Sequence, residues 1–191
     1  AEGWPVMASM ARSIGHARNV FDARTANSNL ELLAQAVRTS GAAAVIPLPF
    51  PHGGSERYGK GAPERLHALA YGVAYRAGTP LMAGNLIRTS YEHARQLLAL
   101  RAPRAFKKRV AEAIPPTAML AILWSRDDLE PEEDSLWRKG APLRATEAGE
   151  LRLISAADLF AWDGPALRQR FTETSGHMVR QEGLWLESGS D

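Results

Sequence analysis

Cysteine is absent from all 191 residues, which excludes disulfides, thiolate nucleophiles, iron–sulfur clusters and cysteine-bound zinc. Long apolar runs are missing too. The longest, Thr117–Trp124, has the length of a buried strand and falls well short of the about 20 residues of a membrane span, so no membrane partner is expected. The start, Ala1-Glu2-Gly3-Trp4-Pro5, shows no basic stretch leading into an apolar one, and thus no uncleaved signal peptide. These absences fit a cytoplasmic chain best, with the periplasm left open. Charge of one sign is scarce: 23 Lys and Arg against 21 Asp and Glu leave a net +2, too little to coat nucleic acid or membrane wholesale. Any basic surface must be local. The five histidines form no HExxH pattern and no pair at ligand spacing, so neither a zinc enzyme nor a protein-held metal site is expected. A Gly-x-Ser-x-Gly elbow is lacking as well, because Gly54-Ser55-Glu56 has no second glycine.

What is present is ordinary globular material: 45% apolar and 23% charged residues, in a length that suits one domain over residues 1–191. Asn27 and Ser28 read as an N-cap for a helix with Leu30, Leu33, Ala34 and Val37 on one stripe, stopped at Gly41. The apolar run from Ala43 to Leu48 reads as a strand, and the prolines after it hold the backbone extended. Residues 51–61 make a polar, glycine-rich turn. A helix starts at Pro63 and closes at Gly78, Thr79–Met82 is a second short strand, and Ser90 caps a helix that ends before Pro103. Ala118–Trp124 is an interior strand followed by an acidic turn in which six of the eight positions from Asp127 to Asp134 are Asp or Glu. A strand at Leu151–Ile154, a short helix capped by Ser155 and a terminal helix from Pro165 to about Gly183 complete the pattern. Alternation of helix and strand predicts an α/β fold: a mostly parallel sheet flanked by helices.

Three stretches carry candidate chemistry. The turn holding His52, Gly53, Gly54, Ser55, Arg57 and Lys60 follows a strand and precedes a helix, where free backbone N–H groups and the helix dipole can hold phosphate. It matches neither a Walker A loop nor GxGxxG, and it reads equally as a flexible surface loop. A second stretch gathers Arg88, Arg95, Arg101, Arg104, Lys107, Lys108 and Arg109 against Glu92 alone. It suits phosphate or a nucleic-acid backbone, and also a plain solvated face. Third, Asp127 and Asp128 stand at the carboxyl end of an apolar strand, where open α/β sheets hold ligands, and they could meet ribose hydroxyls or Mg²⁺. Glu130, Glu132, Glu133 and Asp134 beyond them look like a solvated helix start that complements the macrodipole. Trp124 closes the strand, and Trp137, Trp162 and Trp185 read as core or interface anchors.

The order of these features resembles the middle of the competence-protein-F-type phosphoribosyltransferases. Val45-Ile46-Pro47-Leu48-Pro49, an Arg-Tyr-Gly turn, the helix ending in Arg76-Ala77-Gly78, then Leu86-Ile87-Arg88-Thr89 and Gln96-Leu97-Leu98 before Arg101 follow the family's sequence of strand, turn, helix and Arg-rich segment over residues 30–105. The resemblance implies a glycosyltransferase-type domain that binds a nucleotide or sugar phosphate. Phosphate would lie on Arg57, Lys60, Arg88 and Arg101, and Asp127 and Asp128 would be the catalytic acids, with Mg²⁺ as the associated ion. The family's Thr-Thr-Gly phosphate loop is replaced here by Leu129-Glu130-Pro131-Glu132, whose charge repels phosphate and points to a domain without the standard transfer activity. The competing expectation is a non-catalytic accessory that binds nucleic acid or protein through the Arg88–Arg109 face, with Arg104, Lys107, Lys108 and Arg109 on the phosphates. A third is an interaction domain whose acidic and basic stretches pair across subunits of a homo-oligomer.

Overall fold

The computed structural model describes residues 28–53, 63–85, 90–102, 104, 106–165, 168–169, 178–181 and 184–187. Helix α1 (Ser28–Ser40) buries Leu30, Leu33, Ala34 and Val37, spaced so that all four fall on one stripe. Gly41 follows it at φ 66°, a left-handed position that glycine adopts at no steric cost. Strand β1 (Ala44–Leu48) is buried along its whole length. His52–Gly53 forms a two-residue β2, and helix α2 (Glu64–Ala77) runs from Pro63 to Gly78, whose left-handed backbone at φ 67° closes the last turn. Gly72 in the middle of α2 is a packing device. A Cβ there would come within 2.6 Å of Leu30 Cδ1, so its absence seats Leu30 between the two helices.

Gly84–Asn85 forms β3, which pairs in parallel with β2, and Ser90 caps helix α3 (Tyr91–Leu98) by accepting a hydrogen bond from His93 N at 3.2 Å. Two 3-10 turns, Ala99–Arg101 and Arg109–Ala113, lead to β4 (Met119–Trp124). Then come α4 (Pro131–Lys139), β5 (Ala141–Ala145), β6 (Glu150–Ser155) and α5 (Ala156–Phe160). Ser155 caps α5, accepting from Asp158 N at 3.0 Å.

The main sheet has the order β1-β4-β6-β5. It is mixed, where the sequence pattern predicts a mostly parallel one. β1 and β4 run parallel, β6 is antiparallel to β4, and β5 is antiparallel to β6. Helix α4 does make a crossover from β4 to a strand of the same direction, but that strand is β5, two places away. The chain then reverses, with Thr146 N donating to Gly149 O at 2.9 Å, and β6 slots between them. β5 is the element that the pattern conceals: it lies at the sheet edge, mostly exposed, and carries Pro142, which edge strands tolerate and interior ones do not.

Two other expectations change. Thr79–Met82 contributes a single parallel bridge, Val45 to Leu81, with Val45 N donating to Pro80 O and Met82 N to Val45 O, each at 2.8 Å. Pro80 has no N–H with which to extend that ladder. In place of the second half of a terminal helix, Met178–Gln181 (β7) pairs antiparallel with Leu184–Glu187 (β8). Val179, Trp185 and their alternating neighbours favour strand, and two intervening residues suit a hairpin.

Alternation along β4 divides the core. Leu120 and Ile122 face a cluster with Ile46, Leu48, Phe50, Leu136, Trp137, Ile154 and Leu159, while Ala121 and Leu123 face Val45, Leu151 and the stripes of α1 and α2. The sheet therefore lies between α1 and α2 on one side and α4 and α5 on the other, which covers both faces of β4. Each fully buried Leu, Ile or Val contributes roughly 1.5–3 kcal/mol by leaving water.

Candidate functional site

The parallel pair ends with Leu48 beside Trp124. Immediately beyond, Ser125 N donates to Leu48 O at 3.2 Å, and Arg126 takes a left-handed φ of 66°, uncommon for any residue but glycine. This bend turns Asp127 back over the strand end. Ser125 Oγ donates to Asp127 Oδ2 at 2.5 Å, and Trp124 Nε1 donates to the Asp127 carbonyl at 2.8 Å. From the first turn of α2, Arg65 grips both carboxylate oxygens, Nε to Oδ2 at 3.1 Å and a terminal nitrogen to Oδ1 at 2.5 Å. Desolvation works against the ionised form of Asp127, but Arg65 and the Ser125 hydroxyl outweigh it and hold the carboxyl below the usual range. Asp128, the next residue, is exposed.

A cavity of about 430 Å³ opens over this strand end, lined by Trp124, Arg126, Asp127, Asp128, Leu129, Asp134, Trp137, Arg138 and Arg152. The Trp124 and Trp137 rings lie 5.2 Å apart and tilted by 54°. Arg152 reaches across from β6 with its guanidinium 4.4 Å from the Trp137 ring centre, donating to Trp137 O at 3.3 Å and Gly140 O at 3.4 Å. Arg126 pairs with Glu150 at 3.0 Å and Arg138 with Asp134 at 2.8 Å. Sequence reasoning places the two acids here but misses Arg126, Arg138 and Arg152; Trp137, read as a core or interface anchor, is indeed buried in the core at 6% exposure and shows only its edge to the cavity. The available signal was Trp124-Ser125-Arg126-Asp127-Asp128, an aromatic, a cation and two acids at a strand end.

The other expected site residues are distributed differently. Arg101 is clamped by the acidic loop, paired to Glu130 and, at 3.4 Å, to Glu133, whose other oxygen accepts from Glu130 N at 3.1 Å. Glu133 is fully buried and also accepts from Phe50 N at 3.0 Å. His52 is 1% exposed, and neither ring nitrogen has a hydrogen-bond partner among the described residues. Burial, with a smaller effect from His93, lowers its pKa. Gly53 lies in β2 opposite Asn85. Gly54, Ser55, Arg57, Lys60 and Arg88 lie outside the described residues. The segments flanking the glycine-rich stretch are nevertheless fixed at the edge that carries Asp127: Phe50 on Glu133 before it, Arg65 on Asp127 after it.

Arg104, Lys107, Lys108 and Arg109 do not share a solvent face. Lys107 pairs with Glu112 and Arg109 with Glu92, each at 3.2 Å, on the exposed surface. Lys108 is 6% exposed, its Nζ donating to Leu100 O at 2.8 Å and Leu159 O at 3.1 Å. Burial, then the nearby charges of Lys139 and Arg104, lower its pKa to about 8. Among the described residues no group of three or more His, Asp or Glu is placed to hold a metal ion, and no helix is long and apolar enough to cross a membrane. The chain matches no protein-family model, no curated protein and no solved structure.

Proposed function

We propose that this chain is a phosphoribosyltransferase-like α/β domain that binds a nucleotide or sugar phosphate in the cavity over the carboxyl end of β4. One observation carries the reading: three acids, two indoles and three guanidiniums converge at the end of the parallel strand pair, where open α/β sheets take ligands. In this arrangement the half-buried indole of Trp124, backed by the buried Trp137, receives the flat or apolar part of the ligand. Asp128 accepts from sugar hydroxyls, and Arg126 and Arg138 turn from Glu150 and Asp134 toward phosphate. The phosphate role thereby moves from Arg101, which the acidic loop holds, to these two. Asp127 organises the bend; with both oxygens engaged by Arg65 and Ser125, it is a positioning group rather than a free base. This is a binding function, and the transfer activity of the family it resembles is not part of it.

Mg²⁺ fits as a companion of the ligand. The ion commonly keeps one or two protein carboxylates and takes its remaining oxygens from phosphate and water. Asp128 is the carboxylate that would hold it, neutralising phosphate charge beside the acidic loop. The accessory reading, nucleic-acid binding through Arg88–Arg109, has less support, because Lys108 is turned inward and Lys107 and Arg109 are already paired.

Isothermal titration with phosphoribosyl pyrophosphate and the common nucleotides, with and without Mg²⁺, tests the proposal. At least one of these ligands is expected to bind. Asp128→Asn and Arg138→Ala, both at exposed positions, should each weaken it by about tenfold, or about 1.4 kcal/mol. Silence across the panel overturns the reading.

A further inference from the structure

We infer that α4 carries a second ligand site on a neighbouring face, a cationic pocket built for a compact phosphate dianion and lined by Arg104, Lys108 and Lys139. At about 100° per residue, Asp134, Trp137 and Arg138 face the cavity described above, while Pro131, Glu132, Ser135 and Lys139 are centred roughly 120° further round the helix. There a separate cavity of about 410 Å³ lies between α4, the Ala99–Arg101 turn and α5. That volume suits a small-molecule ligand.

Four cations line it, Arg101, Arg104, Lys108 and Lys139, against two carboxylates, Glu132 and Asp158. The carboxylates do not neutralise the buried cation. Asp158 is engaged by the Ser155 hydroxyl at 2.6 Å, and no carboxylate among the described residues pairs with Lys108. A buried ammonium facing only neutral carbonyls lacks the counter-charge that normally accompanies such a group. Arg104 shows the same deficit from another direction: its Nε is buried with no hydrogen-bond acceptor among the described residues. Buried donors are rarely left unmet in folded proteins, and one tetrahedral oxyanion supplies acceptors to several at once. The lowered pKa of Lys108 fits this geometry: burial lowers it most, and Lys139 and Arg104 stand near enough to add their repulsion. An anion between them would reverse that repulsion. The pocket is concave, with Asp158 and Leu159 of α5 forming one wall, which suits a phosphate group on a small body.

The full chain carrying Asp128→Asn and Arg138→Ala, which weaken the first cavity, titrated with inorganic phosphate and separately with ribose 5-phosphate, should show saturable one-to-one binding at this second site. Adding Lys139→Gln or Lys108→Met should weaken that binding about tenfold or more. Tighter binding of the ester identifies a sugar phosphate as occupant; equal binding identifies free phosphate. Because Lys108→Met removes two buried hydrogen bonds and can unfold the chain, acylation of lysines at pH 8.5 read by mass spectrometry gives an independent measure on the unaltered protein. Lys139, the exposed lysine of the lining, should be labelled in the free chain and protected by phosphate. Absence of saturable binding, undiminished binding by Lys139→Gln, or labelling of Lys139 that phosphate does not change would each overturn the second site.

Discussion

At Glu133 three donors meet one carboxylate with no solvent: Phe50 N, Glu130 N and Arg101. An acid in the first turn of α4 is favoured by the helix dipole, and charge-assisted hydrogen bonds offset its burial. Glu133→Ala should therefore cost about 3–5 kcal/mol, because it leaves two buried backbone donors unanswered and takes from Arg101 the buried one of its two carboxylate partners. Glu132→Ala, one residue away and exposed, should stay within about 0.5 kcal/mol of the parent in urea denaturation. These neighbours are indistinguishable in the sequence, where both read as solvated acids; only the orientation of α4 against β1 tells them apart. His52 makes a prediction of the same scale. Its pKa is lowered from 6.5 in the folded chain, so the unfolded chain takes up its proton first as pH falls. Its contribution to stability is complete above pH 6.5 and declines below it, toward the folded-state pKa. Melting temperatures from pH 7.5 to 5 should fall less steeply for His52→Leu than for the parent, and parallel curves would exclude a buried neutral imidazole.

Among the elements, two glycines should respond in opposite ways to an added methyl group. A Cβ at Gly149 would lie 2.6 Å from the Trp124 carbonyl, which is backbone and fixed in the sheet. Gly149→Ala should cost about 1–3 kcal/mol and weaken ligand binding, since it displaces the strand end that forms the cavity. At Gly72 the obstacle is the tip of Leu30, which can rotate, and alanine gains about 1 kcal/mol of helix propensity. Gly72→Ala should come out near neutral in the same denaturation series. The elements that were legible share a reason. α1, α2 and α3 have a helical stripe, a cap or a glycine stop, and β1 and β4 have short apolar runs at both-faces-buried positions. β5 has neither signal, because an exposed edge strand needs no apolar alternation and Pro142 argues against one. Missing β5 also hid the mixed sheet, and with it the site for Arg152: its reach to Trp137 exists because β6 inserts next to β4. Asp127 and Asp128 were readable as a site because their chemistry depends on a strand end that the sequence marks, whereas the neutralising grip of Arg65 depends on α2 lying across it.

Across the whole molecule, near and distant pairings are unevenly shared. β4, α4, β5 and β6 occupy one continuous span from Met119 to Ser155, whereas β1 must find β4 across the long separation from Leu48 to Trp124. Loop-closure entropy makes the shorter pairings the earlier ones to form. Every residue lining the Trp124–Trp137 cavity belongs to the short span, from Trp124 to Arg152, while the phosphate pocket draws on segments from Leu100 to Leu159. The two sites should thus differ in their sensitivity to partial opening. Native-state hydrogen exchange is expected to show the amides of β4 and β6 outlasting those of α1 and α2. A chain with α1 and α2 loosened would release the Arg65 grip on Asp127 but keep the remaining walls of the cavity beside Asp128, so that the proposed recognition there rests chiefly on about one-fifth of the polypeptide, the span from Met119 to Ser155.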